Sequence, residues 1–189
     1  MIGSVGMYEI AAQGVGIIAM TFNILSYMQK TRKSVITFQL IGASLFAVNF
    51  FMLGATVGGT LNVIAAIRAI IYLNKKKFHA ESPVWLIGFI SLYIASYILN
   101  FTLFGKDFTL WNALIEVLPV IGMVAINLSY IKNDAKTVRM FGLISSPSWL
   151  IYNIANIAIG AIVCEVLSIC SIIAGIIKYD IKRKDEETK

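Results

Sequence analysis

Leu128-Ser129-Tyr130-Ile131-Lys132-Asn133-Asp134-Ala135-Lys136-Thr137-Val138-Arg139 closes one apolar stretch, crosses a basic loop and opens another. The same arrangement stands 103 residues earlier as Leu25-Ser26-Tyr27-Met28-Gln29-Lys30-Thr31-Arg32-Lys33-Ser34-Val35-Ile36. Extending this register outward aligns residues 13–68 with 116–171 without a gap and with identity at twelve of 56 positions. Besides the Leu-Ser-Tyr block, the matches include Ile18/Ile121, Met20/Met123, Lys33/Lys136, Val35/Val138, Phe38/Phe141, Ala55/Ala158 and Val63/Val166. Apolar sequences share residues by chance, so the agreement of the loops carries more weight. In both copies a basic loop follows the first stretch, and almost nothing separates the second from the third.

Seven apolar stretches can be drawn, at roughly 9–28, 35–53, 55–74, 83–104, 108–131, 140–157 and 161–178. Each has about the length a helix needs to cross the hydrocarbon core, where a backbone without water must satisfy its own polar groups. Of the 16 Lys and Arg residues, 14 follow the first, third, fifth or seventh stretch; Lys106 lies on the other side and Arg68 within a stretch. Cytoplasmic loops carry the Lys/Arg excess, so the N-terminus is expected outside and the C-terminus in the cytoplasm. Four crossings separate the copies, which gives both the same orientation and makes the repeat parallel, about an axis along the membrane normal. The predicted fold is an all-α integral membrane protein with seven transmembrane helices in a 3+1+3 arrangement. Residues 9–74 form the first three-helix repeat, 83–104 the linker helix, 108–178 the second repeat and 179–189 a cytoplasmic tail.

Composition agrees with this reading and excludes other classes. Hydrophobic residues make up 58% and charged residues 14% of the 189-residue chain, against about 25% charged in soluble domains. Little is left outside the membrane to form a catalytic domain. The net charge of +6 sits in short juxtamembrane loops, where topology and anionic headgroups explain it better than nucleic acid does. The first stretch lacks a basic n-region and a small-residue cleavage site, so it is expected to be a retained span. Cys164 and Cys170 have no metal-ligand spacing and are expected to pack. The lone His79 has no partner for catalysis or metal binding. The chain is therefore not expected to be an enzyme or to hold a metal or cofactor.

The 3+1+3 arrangement resembles the MtN3/PQ-loop superfamily, which includes the SWEET sugar transporters and the PnuC-type vitamin transporters. Pro119, ahead of a basic loop, looks like a degenerate Pro-Gln element: Val120 replaces the glutamine, and Gly16 stands where the first repeat would have its proline. The run Ser146-Pro147-Ser148-Trp149-Leu150-Ile151-Tyr152-Asn153, with Leu53-Gly54-Ala55 through Asn62 and Arg68, is similar to the bacterial inner-membrane YgjV-like family. This resemblance covers nearly the whole chain and implies a multi-pass protein of the bacterial inner membrane. The resemblance to the superfamily's transporters implies that the third helix of each repeat supplies a polar residue to a central site, here Asn62 and Glu165. It also implies that the second helices supply aromatics that sandwich a substrate, here Phe46 and Trp149.

A charged side chain at the bilayer centre costs about 2.5–3.5 kcal/mol, so such residues face the bundle interior. Glu116 shares a helical face with Asn112, Pro119 and Met123, and its repeat partner is Gln13. It either lines a shared cavity, where it could couple proton movement to transport, or is a protonated acid bonded to a neighbouring helix. Glu165 either belongs to the central site or is shallow enough to meet water at the outer interface. Phe46 and Trp149 fall at the same depth in both copies and either flank a substrate or fill core gaps. Pro147 should interrupt the hydrogen-bond ladder of its helix, with Ser146 or Ser148 able to re-satisfy the freed carbonyls, and a kink there could serve a rocking motion. Arg68 either snorkels toward the cytoplasmic headgroups, pairs across the bundle, or closes an inner gate. The Gly54-x-x-x-Gly58 motif suits close helix packing.

The functional reading is a transporter or facilitator of a small polar solute, by alternating access between two three-helix bundles. Phe46, Asn62, Glu116, Trp149 and Glu165 are the expected substrate-binding residues; Glu116, Pro119, Arg68 and Pro147 are the expected coupling or gating residues. A membrane receptor or accessory subunit that binds a ligand or protein without carrying solute is the alternative, and a structural bundle a third. The expected partners are the solute and the lipid bilayer, with self-association left open.

Overall fold

The computed structural model describes residues 6–53, 56–103, 105–156 and 159–181; the side chains of Glu9, Thr56, Val57, Gly58 and Ile159 lie outside that description. So do the Gly54-x-x-x-Gly58 motif, the Ala55/Ala158 match and the tail beyond Ile181. Among the described residues the chain is all-helical, with eight α-helices: α1 (Met7–Ser26), α2 (Arg32–Met52), α3 (Thr56–Leu73), α4 (Lys75–Phe78), α5 (Pro83–Thr102), α6 (Leu110–Ser129), α7 (Ala135–Ala155) and α8 (Ile159–Ile176). A π-helical turn, Ile177–Ile181, continues α8.

Local chemistry sets the starts. Thr31 caps α2 by accepting from the Ser34 amide at 3.1 Å, Asp134 caps α7 by accepting from the Thr137 amide at 2.6 Å, and Thr109 caps α6 from Asn112 at 3.1 Å. Each satisfies an amide the helix itself leaves free. Ser82 caps α5 with Pro83 at its first position, where a missing N–H costs nothing. Pro119 and Pro147 lie within α6 and α7, which run through them. Beside Pro147, the Ser148 hydroxyl donates to the Ile144 carbonyl at 2.8 Å.

Among the described residues four helices are long and apolar enough to cross a membrane: Arg32–Met52, Pro83–Thr102, Leu110–Ser129 and Gly160–Ile181. Ile10–Ser26 and Gly59–Leu73 are apolar but shorter. α7 has the length, yet Lys136, Arg139, three serines and Asn153 dilute its apolar character.

The six helices flanking α4 and α5 obey one register. Adding 103 to both limits of α1, α2 and α3 gives both limits of α6, α7 and α8. The caps follow: Thr31 and Asp134, and Tyr27 and Tyr130, stand at the same separation. Packing follows too. A Cβ on Gly42 of α2 would meet the Ala19 carbonyl of α1 at 3.2 Å, and one on Gly122 of α6 would meet the Ser145 hydroxyl of α7 at 3.2 Å. Positions 19 and 42 correspond to 122 and 145. α2 packs on both α1 and α3, α7 on both α6 and α8, and the two groups meet through α1 with α8 and α2 with α7. α5 packs on α6.

A buried apolar cluster joins α2, α3, α5, α6 and the start of α7 near the ends that carry the basic loops, with Ile36, Tyr72, Phe89, Tyr93, Tyr130 and Val138 among its members. Large apolar side chains elsewhere face outward, such as Ile87, Ile94 and Ile98 on α5, as suits a surface solvated by lipid.

Candidate functional site

The two bundles exchange tyrosines. Tyr27 follows α1, and its ring lies over Gly142 of α7, where a Cβ would meet ring carbon Cε1 at 2.9 Å. Its hydroxyl lies near Ser146 of α7. Tyr130 follows α6 and crosses the other way: its hydroxyl donates to Gln39 of α2, and its ring meets the Tyr72 ring of α3 edge-on at 5.7 Å. Both tyrosines are buried. Each exchange fills a seam between the third helix of one bundle and the first helix of the other.

At the α1/α8 seam the side chains are small and the backbones close. Ser171 donates to the Ile24 carbonyl at 2.6 Å. A side chain at Gly175 would drive into the Tyr27 carbonyl and the Arg139 side chain. Arg139 of α7 locks the end of this seam. It is 1% exposed, forms two hydrogen bonds with Asp180 at 2.9 and 2.5 Å, and donates to the Gln29 carbonyl at 2.9 Å. A forked guanidinium matches a carboxylate in geometry as well as charge.

The α3/α6 seam is built from long side chains. Arg68 is buried, donates to the Tyr93 hydroxyl of α5 at 2.8 Å and to the Met123 carbonyl of α6 at 3.4 Å, and stands 5.2 Å from the centre of the Tyr130 ring. Nearer the helix ends, Arg32 donates to the Tyr72 carbonyl at 3.1 Å and the Tyr130 carbonyl at 2.6 Å. Lys75 reaches the Ile131 carbonyl and the Asn133 side chain at 2.9 Å. Burial and the Arg32 charge push the Lys75 ammonium below its ordinary pKa, with Glu81 opposing.

The expected site residues fall in several places. Glu116 is buried, but its carboxylate is taken up by Lys106 and by the Asn100 amide at 3.0 Å, joining α5 to α6. Pro119 is buried one turn further along α6. Trp149 lies against Gly122 of α6, 2.9 Å from the position of an added Cβ, with the Tyr152 ring edge-on at 5.8 Å. Phe46 stacks on Phe50 at 6.1 Å. Glu165 stands beside Ser146, and so near the Tyr27 hydroxyl. Asn62 is half-buried on α3. An apolar groove of about 300 Å³ runs between α6 and α7, lined by Val120, Ile121, Val124, Ala125, Leu128, Phe141 and Ile144. None of the expected site residues lines it.

Sequence reasoning passed over Tyr27, Tyr130, Arg32 and Arg139 as site components. The signal for the tyrosines was present, since both belong to the clearest repeated block. Arg139 had been grouped with the basic loop, whereas it lies one turn inside α7. Among the described residues no group of His, Cys, Asp and Glu is placed to hold a metal.

Several apolar spans, basic residues collected at one end and a buried polar interior define an α-helical integral membrane protein. The chain belongs to the Imp-YgjV family of bacterial inner membrane proteins, whose family model matches residues 10–183. No curated protein and no solved structure matches it.

Proposed function

We propose that this protein carries a small polar solute across the inner membrane by alternating access between two parallel three-helix bundles, α1–α3 and α6–α8. α5 is the linker span of a seven-span, 3+1+3 chain. On this reading the N-terminus is outside, the basic ends are cytoplasmic, and the arrangement is of the MtN3/PQ-loop kind. The observation that carries the proposal is the common 103-residue register of all six bundle helices together with the reciprocal exchange of Tyr27 and Tyr130. A duplicated bundle whose halves interlock through equivalent residues has the construction needed for two halves to move against each other.

The two seams divide the work. α1/α8, held by backbone approach and by the Arg139 hydrogen bond to the Gln29 carbonyl, with Asp180 fixing Arg139 from within its own bundle, is the hinge. α3/α6, spanned by the flexible stems of Arg32, Arg68 and Lys75, is the side that opens to the cytoplasm. Glu165, Asn62, Phe46 and Trp149 remain the proposed substrate contacts higher in the bundle. Glu116 acts in coupling only if its pair with Lys106 breaks during the cycle.

The test is uptake by purified protein in vesicles, offered sugars, nucleosides, vitamins, amines and small carboxylates. At least one is expected to enter saturably. Joining Lys76→Cys to Lys132→Cys with a short cross-linker should stop that uptake, while joining Lys30→Cys to Lys178→Cys should not. Solute binding without any uptake would instead favour a receptor or accessory subunit.

A further inference from the structure

Arg68 holds a guanidinium inside an apolar helix without a carboxylate beside it. The ion pairs found among the described residues are Lys106–Glu116 and Arg139–Asp180, and the side chains that meet the Arg68 guanidinium include the phenols of Tyr93 and Tyr130. Buried charges in proteins are normally paired or bound to an ion, and intramembrane ones face a path or a partner. Two hydrogen-bonding atoms at this point are also unused. The Arg68 Nε and the Tyr72 hydroxyl are both buried without a partner, at residues 7% and 0% exposed. Arg68 and Tyr72 are four residues apart on α3, so they lie on one face. Tyr93 and Met123 occupy only the Nη1 side of the guanidinium, which leaves its Nε edge directed elsewhere.

We infer that Arg68 and Tyr72 form a binding site for an oxyanion, a carboxylate or phosphate group, in the α3/α6 seam. The guanidinium edge supplies charge and a directed donor, and the phenol a second donor. An oxygen anion accepts both, which satisfies two donors that are otherwise stranded and neutralises the buried cation. Arg32 and Lys75 stand between this point and the basic end of the bundle, tied to the Tyr72, Tyr130 and Ile131 carbonyls. They line an approach of one sign, which raises the local concentration of an anion. The corresponding positions of the other seam are Ser171 and Gly175, which offer no charge, so the site is single although the bundle is duplicated. The inference deepens the transport reading by giving the solute an anionic group, and it rests on that reading only in taking the bound group as cargo.

The group can come from a soluble solute or from a lipid headgroup, and the experiment separates the two. Full-length protein, stripped of lipid in detergent and kept in zwitterionic buffer with chloride as the only added anion, is melted with inorganic phosphate, sulfate or succinate. In parallel it is melted in nanodiscs of phosphatidylglycerol or phosphatidylcholine. A soluble oxyanion is expected to raise the melting temperature by about 5 °C near saturation. Arg68→Met should abolish the rise, and Tyr72→Phe should weaken affinity about ten-fold. If Arg68→Met does not fold, Arg68→Lys replaces it, because it keeps the charge and loses the directed Nε, and a ten-fold loss is again expected. Stabilisation by phosphatidylglycerol alone, lost in the same variants, assigns the site to a headgroup and also supports the inference. No stabilisation in either arm, or equal stabilisation of parent and variants, overturns it. Because binding is read without transport, vesicles that take up nothing would leave this result standing and count against the transporter alone.

Discussion

Where α8 meets α1, positions 171 and 175 are serine and glycine; where α3 meets α6, the corresponding positions 68 and 72 are arginine and tyrosine. The frame is the same in both places, down to the tyrosine that each first helix sends into the other bundle. One seam is filled by close approach of backbone and closed at its end by Arg139, which Asp180 pairs within its own bundle and which donates across the seam to the Gln29 carbonyl. The other is spanned by the long side chains of Arg32, Arg68 and Lys75 and finished by hydrogen bonds to carbonyls. The difference has a visible cause in α5, which packs on α6 and brings Tyr93 against Arg68. No described helix packs in that way on the α1/α8 seam, where small residues let the bundles touch. The six helices that share the 103-residue register are thus packed asymmetrically where α5 lies. The asymmetry puts close backbone packing on one side and the unpartnered Arg68 Nε and Tyr72 hydroxyl on the other.

The sharpest way to break this contrast is at the ion pair. Asp180→Ala leaves the Arg139 guanidinium buried and unpaired, and is expected to cost about 3–5 kcal/mol, read as a large fall in melting temperature. A fall no larger than that of a surface variant would show that Asp180 does not hold Arg139 at the end of the seam. Next comes packing. Gly175→Val pushes a branched side chain into the Tyr27 carbonyl and should cost about 1–3 kcal/mol, while the same change at the exposed Gly88, where an added Cβ meets nothing, should be far milder.

A finer comparison sets two hydroxyls of the α3/α6 seam against each other. Tyr130→Phe strands the Gln39 acceptor and should cost about 1 kcal/mol or somewhat more. Tyr72→Phe removes a hydroxyl without a partner and should leave anion-free stability unchanged or slightly raised. If Tyr72→Phe is the more damaging of the two, its hydroxyl has a partner and the asymmetry is misread. The smallest effect tests the shared frame. Thr31→Ala and Asp134→Ala each remove a cap at equivalent positions and should each cost about 1 kcal/mol. A cost confined to one half would separate the repeats at that point.

Much of the fold could be read from particular residues. The Leu-Ser-Tyr block and its basic loop set the 103-residue register, and the helix limits obey it at both ends. The apolar count was less sufficient. α7 buries Arg139, Ser145, Ser146 and Ser148 against its neighbours, so its interior face is polar and its average hydropathy hides its place in the bundle. The site was less legible because pairing depends on chain reversals that periodicity does not encode. Lys106 seemed a lone cation in an outer loop and Glu116 a cavity acid. The chain turns back after α5, with the Lys106 amide donating to the Asn100 carbonyl at 3.1 Å, and brings the two together. Likewise Arg68 stood out in the sequence as a misplaced charge, but its surroundings of Tyr72, Tyr93 and Tyr130 come from three helices and could not be inferred from spacing along one.

The central claim, that one seam opens while the other is a hinge, is tested most directly by paired spin labels at the basic end. With Cys164 and Cys170 replaced by serine, one label pair goes on the exposed Lys76 and Lys132, across α3/α6, and the other on the exposed Lys30 and Lys178, across α1/α8. Electron–electron distance distributions in nanodiscs are expected to be broad or two-peaked for Lys76/Lys132, with the balance shifting when phosphate or succinate is added. Lys30/Lys178 should give one narrow peak that does not move. Equal widths at both seams, or a shift at Lys30/Lys178 while Lys76/Lys132 stays fixed, would contradict the account.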